Sequence, residues 1–64
     1  MSGTITQLAH DRGTGSLVGE DGKTYLFRRR SLSNCWFHEL SVGAAVTFDE
    51  AGERLEATAV RLVR

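Results

Sequence analysis

Five short stretches rich in β-branched or aromatic residues, each closed by glycine or by small polar residues, direct this chain towards an all-β fold. The first is Gly3-Thr4-Ile5-Thr6-Gln7-Leu8, ended by the turn residues His10-Asp11-Arg12-Gly13. The second runs from Thr14 to Gly19, and Glu20-Asp21-Gly22-Lys23 carries the Asp-Gly pair that favours a hairpin. Thr24-Tyr25-Leu26-Phe27-Arg28 is the third, with Tyr25 and Phe27 on one face and Thr24, Leu26 and Arg28 on the other. Ala44 to Glu50 is the fourth, in which Val46 and Phe48 share a face. After Ala51-Gly52-Glu53, Leu55 to Val63 is the fifth, with Thr58, Val60 and Leu62 opposite Ala57, Ala59, Arg61 and Val63. Residues 29–42 form a long connection between the third and fourth strands.

Helix competes at two places. Leu55, Ala59 and Leu62 stand near helical spacing, but the closing run Thr-Ala-Val-Arg-Leu-Val favours strand. Residues 31–40 allow one helical turn, with Ser31 or Ser33 as its N-cap. Five short strands with no helix layer imply a small closed or half-closed barrel, because closure removes exposed edges. With 64 residues, 41% of them hydrophobic, there is material for one compact core, and residues 1–64 are expected to be one domain. A chain this short buries only about 60% of its unfolded surface, which leaves little room for a catalytic cleft. Leu17, Phe27, Val46 and Val60 are the expected centre of the core.

The order and spacing of several motifs resemble the bacterial cold-shock domain, a five-stranded OB-fold barrel that binds single-stranded RNA and DNA. Residues Thr4 to Leu17 are similar, without a gap, to the family's opening K-V-K-W-F-N-x-x-K-G-F-G-F-I. Thr24 to Ser31 resembles its D-V-F-V-H block and the residues that follow. Phe37, Leu40, Gly43, Val46 and Phe48 keep the spacing of F-x-x-L-x-x-G-x-x-V-x-F, and Ala57-Thr58-Ala59-Val60 resembles the closing A-x-N-V strand.

The departures concentrate on the face where the family stacks bases. Its aromatic positions are here Gln7 and Leu8 on the first strand, Thr14 and Ser16 on the second, and Leu26, Arg28 and Arg29 on and after the third. The family's proline before the last strand is also missing. Each lost ring forgoes a stacking surface worth about 1–3 kcal/mol per base. Arginines can offset part of this through phosphate contacts and guanidinium stacking.

The resemblance therefore implies a nucleic-acid interface made of Arg12, Arg28, Arg29 and Arg30, with Trp36, Phe37 and His38 as a shifted platform. Gln7, Thr14, Ser16 and Leu26 would line the same face. Each group has a plainer reading. The Arg triplet can serve solubility or pair with Glu20, Asp21 or Glu39, and Trp36 and Phe37 can fold back to plug the barrel's open end. A protein partner is the rival ligand, docked on a polar face that includes Leu8 and Leu26.

Charge and cysteine usage narrow the remaining classes. Eight basic and eight acidic residues cancel overall, but residues 1–38 carry a net +2 and residues 39–64 a net −2. Cys35 and His38 form a lone C-x-x-H with no second ligand pair, so no metal or other cofactor is expected. Cys35 has no legible partners for nucleophilic catalysis. Gly13 and Gly15 lack the Lys-Ser/Thr of a phosphate loop, so hydrolysis of nucleotides is not expected either. With no signal-like or membrane-spanning segment in the sequence, a cytoplasmic, non-enzymatic binding module is the expectation.

Overall fold

The structure of this protein, a computed structural model, describes residues 1–52 and 54–63; Glu53 and Arg64, part of the expected last turn and last segment, lie outside the described residues. Five strands form: β1 (Ser2–Ala9), β2 (Thr14–Gly19), β3 (Thr24–Arg28), β4 (Ala45–Glu50) and β5 (Ala57–Leu62). All neighbours are antiparallel, in the order β3-β2-β1-β4-β5. The fold is therefore all-β, and the final segment is strand rather than helix. Right-handed twist curls the sheet into a half-barrel until its two edges approach. There the Leu26 N–H donates to the Leu55 carbonyl at 2.9 Å, and short parallel bridges join Leu26 to Glu56 and Leu32 to Val60.

The concave side holds the core. Ile5, Leu17, Tyr25, Phe27, Val46, Phe48 and Val60 are all but completely enclosed, joined by Phe37, Leu40 and Ala57. Burying each large apolar side chain of this kind stabilises the fold by roughly 1.5–3 kcal/mol. Gly15 lies between the outward Thr14 and Ser16 because its inner side has no space. A Cβ there would stand 2.7 Å from Phe27 Cζ and 2.8 Å from the Gln7 carbonyl oxygen. Gly13, at φ 67°, turns the chain from β1 into β2 and donates its N–H to the Ala9 carbonyl.

Two bulges change which side chains face inward. Between Ile5 and Gln7, β1 carries one more residue than β2, so Thr6 slips out of register. On β5, Ala59 and Val60 together oppose Phe48, and Ala59 takes the left-handed φ of 50°. The expected sharing of one face by Thr58, Val60 and Leu62, opposite Ala57, is thereby corrected. Ala57 and Val60 are buried, Thr58 is exposed and Leu62 is half-buried. The bulge inserts an extra residue between the inward positions and breaks the alternation.

The long connection contains two short 3₁₀ turns, Arg29–Ser31 and Phe37–Glu39, neither of them capped by Ser31 or Ser33 as expected. Instead a side chain three residues on accepts the N–H that precedes each turn. Arg28 N–H donates to Ser31 Oγ at 3.4 Å, and Trp36 N–H to Glu39 Oε1 at 2.7 Å. Asn34 Oδ1 accepts the Leu62 N–H and Ser33 N–H donates to the Val60 carbonyl, which fastens the connection to β5. At the other end of the sheet, the Tyr25 hydroxyl donates to Asp21 Oδ2 at 2.6 Å and lies 3.2 Å from Glu50 Oε1. The bond to Asp21 raises the Tyr25 phenol well above its ordinary range, helped by burial and by Glu50, and lowers the Asp21 carboxyl. No helix among the described residues is long and apolar enough to cross a membrane.

Candidate functional site

Alternation on β2 and β3 points Thr14, Ser16, Leu26 and Arg28 away from the core, while Leu17, Tyr25 and Phe27 point into it. Together with Gln7 of β1, these outward residues floor an open groove of about 960 Å³. Leu8 also lines it but, contrary to expectation, does not belong to the outward face, because the β1 bulge pairs it with Gly15 and packs it against the core. The first 3₁₀ turn adds Arg30 and Ser31 to one wall. Val42 comes from the end of the long connection, and Arg54, Glu56 and Thr58 from the segment that leads into β5. The crossing of Leu55 over Leu26 carries Arg54 to the groove, because that backbone bond pins the segment to β3.

The described lining of the groove is basic. Among the described residues, no hydrogen bond or ion pair occupies the guanidiniums of Arg28, Arg30 or Arg54. Glu56 is the one carboxylate among the described residues that line the groove. The floor is mixed. Ser16 Oγ and Thr6 Oγ1 share a hydrogen bond at 3.1 Å, while Leu26 is exposed. Its aromatic contribution is limited to Phe27, whose ring is buried in the core.

The residues expected from the sequence divide between two places. Gln7, Thr14, Ser16, Leu26, Arg28 and Arg30 line the groove. Arg29, Trp36 and Phe37 line a separate shallow depression of about 670 Å³ on the other side of the first 3₁₀ turn. Arg12 and His38 line neither. Two expectations need correction. Phe37 does not offer a free ring. It is buried against Phe27 and His10, with the Arg29 guanidinium 5.8 Å from its centroid. Ser16 points outward but is buried, since the bulged Thr6 folds over it.

Trp36, by contrast, is 71% exposed, and its ring lies nearly parallel to that of His38, with centroids 6.5 Å apart. Arg54, Val42 and Glu56 were not singled out by the sequence. All three lie outside regular strands, where no periodicity tells which way a side chain points. Among the described residues no group of three or more His, Cys, Asp or Glu side chains could hold a metal ion. Neither protein-family models nor curated proteins supply a match to this chain, so the groove's own chemistry has to carry the functional reading.

Proposed function

We propose that this protein is a cold-shock-like OB barrel that binds single-stranded RNA or DNA weakly in the groove and catalyses no reaction. The observation that carries the reading is the set of three guanidiniums, Arg28, Arg30 and Arg54, around an open sheet face, unengaged and opposed by one carboxylate, Glu56, among the described residues. The strand order, with β3 meeting the segment that leads into β5 at Leu26 and Leu55, supports an OB-type barrel. A single strand fits this chemistry. Phosphates meet the arginines, while base edges and sugars reach Gln7 and Thr14. With no exposed ring on the floor, guanidinium stacking and charge replace aromatic stacking, so affinity is low and falls steeply with salt.

The test is fluorescence anisotropy of labelled oligo-U, oligo-dT and duplex DNA at low and moderate salt. Binding of the single strands, weaker binding of the duplex and a marked salt dependence are expected. A second reading rests on exposed Leu26 and Val42, which give the groove an apolar strip suited to a protein segment. No binding of any oligonucleotide at high micromolar concentration, with the fold intact, removes the first reading and leaves the second.

A further inference from the structure

Three consecutive arginines face two directions. Arg28 and Arg30 line the groove, whereas Arg29 between them lines the depression that also holds Trp36. The turn that carries them is anchored on both sides. Arg29 N–H donates to the Gly13 carbonyl at 2.8 Å, and the following Leu32 bridges to Val60 of β5. The result is an anchored ridge that turns Arg28 and Arg30 to the groove and Arg29 to the depression, where the Glu39 carboxylate also stands.

The far recess has a flat aromatic rim. Trp36 is 71% exposed in a protein that encloses its tyrosine and all three phenylalanines. Its backbone is held by the Glu39 carboxylate, and its plane is 12° from that of His38. At 6.5 Å between centroids the two rings are offset rather than overlapping, so they form a ledge.

We propose that a single strand seated in the groove continues over Arg29 and stacks a base on the Trp36–His38 ledge, making one two-part site. The proposal rests on the nucleic-acid reading of the groove and adds a second contact that the groove does not contain. A polyanionic chain is the occupant whose charge matches Arg28, Arg30 and Arg54 in the groove, while Arg29 offsets Glu39 in the far recess, and a base is the part of the chain that gains from an exposed indole. Crossing the ridge takes length. A trinucleotide is shorter than the roughly 4–16 nucleotides that an OB module covers, and a nonamer lies within that range.

Labelled U3 and U9 are titrated by anisotropy, and Trp36 emission, from the protein's one tryptophan, is followed in parallel. U3 is expected to bind in the groove without changing the emission. U9 is expected to quench it and to bind about tenfold more tightly or better, beyond the gain from its extra registers. Trp36→Ala, at an exposed site, leaves the fold intact and should bring U9 back towards U3, while Trp36→Phe restores part of the difference. Emission unchanged by U9, with Trp36→Ala binding it normally, overturns the ledge and leaves the groove reading standing. Failure of both oligomers to bind overturns both. Quenching that survives Arg28→Gln/Arg54→Gln at full affinity separates the ledge from the groove and refutes a joint site. Equal quenching by poly-glutamate refutes the base-stacking part.

Discussion

Thr14 and Ser16 sit two residues apart on the same outward face, yet they answer differently to substitution. Thr14 is half-buried on the groove floor, and Ser16 is enclosed beneath Thr6. Thr14→Phe is expected to fold normally, since aromatic residues suit strands, and to tighten oligo-dT binding by about 1–3 kcal/mol through one new stacking surface. Ser16→Phe has no such space. It must displace Thr6, and overpacking of this kind costs about 1–3 kcal/mol, to be read from urea unfolding. Tolerance of Ser16→Phe at full stability sinks this placement of the two faces. Tyr25 supplies a second test at the same scale. Asp21 has a lowered folded pKa, so its contribution is present above the ordinary carboxylate range and is lost as pH falls through the folded value. Tyr25 has a raised folded pKa, so its contribution holds below about pH 10 and is lost as pH rises towards the folded value. Melting temperatures across pH should show wild type above Tyr25→Phe at neutral pH, with the gap closing at both acid and alkaline extremes. A gap that stays constant with pH discounts the bond.

At the level of the elements, β5 is the least regular strand. Its bulge holds Ala59 at φ 50°, a conformation that costs a residue with a Cβ about 1–2 kcal/mol. Glycine removes that cost but gains freedom in the unfolded chain, which offsets part of the benefit. Ala59→Gly is therefore expected to stabilise by somewhat less than about 1 kcal/mol, a rise of a few degrees in melting temperature for a domain of this size. Ala59→Val should lower it, because branching at Cβ worsens the same clash. A destabilised Ala59→Gly variant would show that the left-handed bulge is not formed in solution. The bulge matters beyond β5. It brings Val60 back to the core after Ala57, and Val60 in turn holds the loop at Leu32 and Ser33.

For the whole molecule, the relevant quantity is where charge lies rather than how much there is. The chain is formally neutral, so long-range attraction to a polyanion is weak, and any binding has to come from the local arrangement of Arg28, Arg30 and Arg54. Each phosphate contact on a single strand contributes a slope of about −0.7 in log K against log salt. Arg28→Gln/Arg54→Gln should flatten the slope by up to about 1.4 and weaken all sequences alike. Arg61→Gln changes net charge as one such substitution does, but Arg61 lies on β5 outside the groove, so binding should barely move. Equal effects from Arg61 and Arg28 would mean that the groove is not the footprint.

Local chemistry along the chain was sufficient for the strands and for most of the core. β-branched and aromatic runs, with Gly13 and Asp21-Gly22 between them, set β1 to β3, and simple alternation put Leu17, Tyr25, Phe27, Val46 and Phe48 inside. These features depend on neighbours within a few residues, so they can be read from sequence. The groove could be read only in part, through Gln7, Thr14, Ser16, Leu26, Arg28 and Arg30. What escaped the reading depends on distant contacts. Ala57 turns inward because β5 bulges against Phe48, and Ser16 is buried because β1 bulges at Thr6. Phe37 enters the core and leaves Trp36 outside, because Phe27 and His10 accept its ring. Arg54 joins Arg28 and Arg30 because Leu55 crosses Leu26 when the sheet curls nearly closed, a meeting of two edges that are far apart in the chain.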